Sequence, residues 1–253
     1  MNLFTELSKR NRTLYLFGWF NFICALICIM LIQITHIQVL GINAFIKPLK
    51  FFLSVGIFCW TISWYMYYLD QQKKVRVYNR VVVIVMLFEL SVIVWQAANG
   101  RLSHFNVSEV LYARLFTLMG IAISVFSLWT GYIGILFFRQ KKWTISEAYA
   151  MGIKMGIIFF VLFSFEGGIM AARLAHTVGA ADGGTGLPLI NWSKHFGDLR
   201  VAHFFGIHSL QILPLIGFYL AKTKTQIIII GVIYFILVSA MLLQALIGMP
   251  VLG

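Results

Sequence analysis

Seven apolar runs, each about 18 residues or longer, recur along this chain of 253 residues, and each is long enough to carry a helix across roughly 30 Å of hydrocarbon. No other feature narrows the fold as much. The runs cover about 14–35, 45–69, 81–98, 110–138, 148–172, 199–221 and 225–248. The spacing predicts an all-α membrane protein, a single domain over 1–253 with seven transmembrane helices. Only 11% of the residues are charged, against about one quarter in a soluble domain. The net charge of +12 does not point to nucleic acid, because the basic residues sit in short clusters between apolar runs. That is the pattern of topology signals and anionic-lipid contacts. The basic N-terminal stretch lacks a small-residue cleavage site after the first run, so that run is expected to stay as an anchor.

The N-terminus and the loops at 70–80, 139–147 and 222–224 together hold twelve Lys and Arg, and the alternate loops hold few. Positive-inside counting therefore predicts a cytoplasmic N-terminus, an extracytoplasmic C-terminus and, for a bacterium, a multi-pass protein of the inner (plasma) membrane. With this topology all six histidines (His36, His104, His176, His195, His203, His208) fall on the outer side or in the outer half of the membrane. Cys24, Cys28 and Cys59 lie near mid-membrane, so no outer disulfide framework is expected. Cys24 and Cys28 share a face with Asn21 and Thr35, the small-residue pattern of a face packed on another helix.

Polar residues inside the runs mark candidate sites, because ionisable groups are costly in lipid. On the second run Lys47 and Lys50 share a stripe with Ser54 and Thr61, and Pro48 suits a first helical turn. The lysines either snorkel to headgroups or line a path for an anion. Glu89 and Gln96 share a face of the third run. They serve either an interhelical hydrogen bond or proton and substrate chemistry. In the loop after it, Ser103 and His104 adjoin, but catalytic pairs are recognised by geometry rather than adjacency. Asn106, Ser108 and Glu109 read as a helix start there. Arg114 is long enough to reach a carboxylate. On the fifth run Glu166 precedes Gly167 and Gly168 and is expected to seek a cation, with Arg114, Arg173 or a second-run lysine available. Lys154 is expected to snorkel inward. The Gly-rich loop at 173–198 is placed to fold as a lid, and its Asp182-Gly-Gly-Thr-Gly stretch lacks the context of a phosphate loop and reads as a turn.

The stretch 198–211, DLRVAHFFGIHSLQ, runs a charged loop into the sixth run. With His203 at 0°, Arg200 lies near about 60°, Gln211 near about 80° and His208 near about 140° at helical spacing. The two histidines therefore do not aim at one ion, and a metal on His203 needs His104 or Glu166 from elsewhere. Pro214 is placed to kink the helix beneath this arc.

The stretches INAFIKPLKF, GRLSHFN, GLPLINWS, GDLRVAHFFGIHSLQ and QALIGMP resemble those of an uncharacterised family of bacterial multi-pass, seven-helix membrane proteins, and the resemblance implies no activity. Zinc-dependent seven-helix hydrolases, rhodopsins and two-haem cytochromes of the b561 type fit poorly. The expectation is an outward-facing pocket binding a small ligand, a metal ion or a single haem b, with membrane lipids as further partners. Its catalytic candidates are His203, Glu166 and His104, and the metal candidates are His203 and His104. The ligand-binding candidates are Lys47, Lys50, Glu89, Gln96, Arg114, Arg200, His208 and Gln211. A membrane-embedded enzyme is one form of this reading. A small-molecule or ion transporter is the alternative.

Overall fold

The computed structural model describes residues 2–183, 186–187 and 190–251. Among these the chain is mostly helical, with eight helices and two short two-stranded ribbons. Seven helices are long and apolar enough to cross a membrane. They are α2 (Arg12–Ile34), α3 (Ile46–Met66), α4 (Gln72–Ala98), α5 (Val110–Arg139), α6 (Glu147–Arg173), α7 (Leu199–Tyr219) and α8 (Lys224–Leu246). They fall on the seven predicted runs, and the chain is a multi-pass membrane protein. The largest difference is at α4, which begins nine residues before the apolar run. The residues Lys73, Lys74, Arg76 and Arg80 in that extension are good helix formers, so the helix continues past the point where apolarity stops. Helix α1 (Leu3–Arg10) was not expected at all.

The chain divides into two compact units, 1–129 and 130–253, with the boundary inside α5. In the first unit Asn11 is the joint between α1 and α2. Its side chain caps α2 by accepting from Leu14 N, and the Asn79 amide of α4 donates to the same Oδ1 at 3.1 Å. Ser63 of α3 donates to the Asn11 carbonyl. Arg10, paired with Glu6 at 2.8 Å, lies 3.9 Å over the Trp64 ring. Helices α2 and α3 meet through aromatic rings laid on glycines. A methyl at Gly18 would stand 2.3 Å from Trp60 Nε1, and one at Gly56 would stand 2.8 Å from the Phe22 ring. Of the expected face, Asn21 and Cys28 are buried while Cys24 and Thr35 are half-buried, and the three cysteines are free. Between α2 and α3 the ribbon of β1 (Gln38–Val39) and β2 (Ile42–Asn43) turns through Leu40 and Gly41, both at positive φ. Along α4 the buried residues Val75, Tyr78, Val82, Met86, Glu89, Ile93 and Gln96 recur at three- and four-residue steps. Glu89 and Gln96 therefore stand in the core stripe.

The second unit is held by α6 and α7, which approach closely. A methyl at Gly152 would lie 2.7 Å from the Leu213 carbonyl oxygen, one at Gly156 2.9 Å from that of Ser209, and one at Gly217 2.6 Å from that of Ala148. Glycine at these three positions lets the backbones touch, the small-residue packing that membranes favour where apolar side chains gain nothing by leaving lipid. The Ser209 hydroxyl adds a hydrogen bond to the Gly156 carbonyl at 3.2 Å. Pro214 lies within α7 and the helix runs through it. Helix α8 buries only a narrow stripe, Ile227, Gly231, Val238 and Ala245, and exposes its other faces. The loop between α6 and α7 carries β3 (Thr177–Val178) and β4 (Gly197–Asp198), paired antiparallel. Gly197 donates to the Gly248 carbonyl at 2.8 Å, and a methyl there would strike the Ala245 carbonyl oxygen. This ties the ribbon to the end of α8. Of the predicted turn at 182–186, Gly184 and Thr185 lie outside the described residues, as do Pro188 and Leu189 of the predicted lid.

Candidate functional site: the Glu166 and His203 pair

Helix α6 presents a buried stripe of Phe159, Phe163, Glu166 and Met170, one carboxylate in an otherwise apolar row. Its partner is His203 of α7. Nδ1 of the ring and Glu166 Oε2 are 3.0 Å apart. With Nδ1–H donating to the carboxylate, Nε2 is left as the acceptor of a neutral ring. The other carboxylate oxygen, Oε1, is buried and has no hydrogen-bond partner among the described residues. His203 is the more open member, with 29% of its side chain exposed against 3% for Glu166. Gly167 lies against the ring, where a methyl would sit in ordinary contact, 3.4 Å from His203 Cε1. The expected cation partners gave way to an imidazole, and Arg173 is exposed at the end of α6.

Beside the pair runs an apolar groove of about 340 Å³ between α6 and α8. Glu166 stands in its wall with Leu162, Phe165 and Ile169, and Phe235, Ser239 and Leu242 face them from α8. Nothing in the sequence marked Ser239 or the aromatic rings as lining residues, because α8 carries no Asp, Glu, His, Lys or Arg beyond Lys224.

The remaining expected residues have other company. His208 Nδ1 and Gln211 Oε1 are 3.2 Å apart, and the His208 ring packs on Phe204 at 4.3 Å. His203 and His208 thus engage different neighbours, as their angular separation required. The Arg200 guanidinium is held by Asp198, with Nε donating at 2.9 Å, and by the Asn191 carbonyl. Asp198 also caps α7 through Arg200 N. In the first unit Glu89 and Gln96 are buried, and each keeps an Oε1 without a partner. Lys47 and Lys50 are half-buried in the first turns of α3, and Arg114 is exposed. Ser103 Oγ and His104 Nδ1 are 3.1 Å apart, but Ser103 is buried and the His104 ring packs among Phe51, Phe105 and Phe116. Glu109 pairs with Arg101 at 3.0 Å. Lys154 Nζ sits 4.8 Å over the Trp143 ring.

In the loop between α6 and α7 His176 Nδ1 and Asp182 Oδ2 pair at 2.7 Å, and the backbone amides of His176 and Thr177 also donate to the carboxylate. Burial alone would raise the Asp182 carboxyl. The bonds from the His176 side chain and the two amides outweigh it and hold the group well below the usual carboxylate range.

Among the described residues no three His, Cys, Asp or Glu side chains come together to hold a metal ion. The expected metal at His203 and His104 therefore has no assembled donor set among them, and the single haem b gains no second observation. No family model matches the chain, and no curated protein or solved structure is significantly similar to it.

Proposed function

We propose that this is a ligand-binding integral membrane protein whose site is built on Glu166 and His203. The half-used carboxylate carries the reading: Glu166 is 5% exposed, with one oxygen bonded to His203 and the other unbonded among the described residues. A pair kept only to join two helices has no use for a bare acceptor, which costs about 1–3 kcal/mol when buried. A donor on a ligand recovers that cost. The adjacent imidazole can then exchange a proton with the bound group, so the pair also suits general acid–base chemistry. The distribution of Lys and Arg supports a site on the outer side of a bacterial inner membrane with the N-terminus in the cytoplasm. A reporter fused in the 139–147 loop is then expected to be active only in the cytoplasm.

Thermal unfolding in lipid nanodiscs tests the site. Benzylamine and benzyl alcohol, small donors soluble in both phases, raise the wild-type Tm, because a ligand of the folded state stabilises it. Glu166→Gln and His203→Phe each remove most of the benzylamine shift. Equal shifts in all three proteins overturn the assignment.

A second reading has its own observation. Glu89 and Gln96 are buried two turns apart on α4, each with an unbonded oxygen. Such a file of acceptors suits passage of a proton or cation, the transport alternative. Retention of proton or cation flux by Glu89→Gln in proteoliposomes would remove it.

A further inference from the structure

The Glu166 site lies below a roof and beside an open wall. Glu166 is seven residues from the end of α6, and Ser239 is seven from the end of α8, so each lies about 10 Å in at 1.5 Å per residue. At that end the β3–β4 ribbon is fastened to α8 through Gly197, whose close fit against Ala245 leaves no gap even for a methyl group. On the flank the groove's own residues are exposed: Leu162 at 51%, Phe165 at 43% and Phe235 at 37%. In a bilayer that flank is hydrocarbon.

We infer that the site opens sideways into the membrane and takes a lipid-soluble alcohol or amine, with its apolar body in the groove and its O–H or N–H donated to Glu166. This rests on the proposed ligand role of Glu166 and His203. The groove is apolar along its length, with Glu166 and Ser239 the polar residues of its lining. It therefore favours a molecule that is apolar except at one end. That end must carry a donor, because the oxygen left to be answered is an acceptor without one among the described residues. Oε1 is shielded at rest. Rotation about the terminal carboxylate torsion, which is soft, brings an oxygen to the groove when a donor arrives, and the bond to His203 is released or re-formed as the group turns. An alcohol and an amine share the donor chemistry and differ in charge, and the charge separates them experimentally.

The test uses the whole protein in nanodiscs and two carbodiimides that modify carboxyl groups. Dicyclohexylcarbodiimide partitions into hydrocarbon, and a charged, water-soluble carbodiimide does not. The expected result is modification of Glu166 by the apolar reagent, slowed by octadecylamine or octadecanol, with little modification by the water-soluble one. Ser239→Phe fills the groove without touching the pair and should slow the apolar reagent about tenfold, a methyl-sized void being already felt in close packing, with the helical circular dichroism unchanged. Glu166→Gln, read by binding of spin-labelled chains, should weaken the amine about tenfold and the alcohol little, since the amide keeps an acceptor but loses the charge. Faster modification by the water-soluble reagent, with protection by benzylamine and none by octadecyl chains, overturns lateral entry while leaving the ligand role intact. Protection by no probe of either length overturns both.

Discussion

Two carboxylates are buried to nearly the same extent, Glu89 at 6% and Glu166 at 5%, each in the core stripe of its own helix and its own unit. Their surroundings differ. Glu166 has an imidazole on one oxygen and forms part of a groove wall. Glu89 has no partner among the described residues, and Gln96, two turns along, is equally unanswered at Oε1. Depth alone therefore does not identify a site, because both groups carry the same burial cost. What singles out Glu166 is an imidazole partner on one oxygen and a place in the wall of a groove.

That contrast can be pressed from its strongest consequence to its weakest. The pair exists because α6 and α7 touch, so Gly156→Leu, which drives a side chain into the backbone of Ser209, should cost about 3 kcal/mol or more, at or above the usual range for overpacking. Chemical unfolding in detergent measures it, and Val81→Ala in α4 serves as the mild comparison. Next come the carboxylates themselves. His203→Ala leaves Glu166 buried with no partner and should lose about 1–3 kcal/mol, whereas Glu89→Leu removes a group that has none and should be neutral or stabilising. A loss of equal size in both variants would mean that Glu89 has a partner too and that the contrast is false.

The loop between α6 and α7 gives a smaller effect with a pH signature. The folded Asp182 carboxyl titrates below its unfolded value, so its contribution is fully present above the ordinary carboxylate value of about 4 and is lost as pH falls below that toward the depressed one. Asp182→Asn should cost about 1 kcal/mol near neutrality and should flatten the fall of Tm between neutral and strongly acidic pH. Smallest of all, Glu109→Gln breaks an exposed ion pair with Arg101 and should change stability by less than about 1 kcal/mol, and by less still in high salt.

The spans were legible because length and apolarity are properties of a contiguous run. Helix ends were legible only where the run's edge coincides with a cap. At α4 it does not, since Lys73 to Arg80 favour helix while falling outside the apolar window. Helix α1 was hidden because eight residues with a polar face produce no span signal. Glu166 and His203 were each picked out from sequence as costly in lipid. Their bond was not, since 37 residues separate them and no local rule pairs a carboxylate on one helix with a ring on another. A signal for that pairing was present in Gly152 and Gly156, four residues apart on α6. Small residues at that interval mark a close helix contact, and α7 supplies it, bringing His203 within reach. The groove had no signal in sequence, since a wall of Leu, Phe and Ile reads the same whether it meets lipid or a ligand.

Infrared difference spectroscopy of benzylamine binding tests the central claim most directly, because each carboxyl group contributes a band that its own Gln variant removes. The account predicts that binding shifts a band which vanishes in Glu166→Gln and persists in Glu89→Gln. A difference spectrum that survives Glu166→Gln unchanged, or one whose carboxyl band vanishes in Glu89→Gln instead, would contradict it.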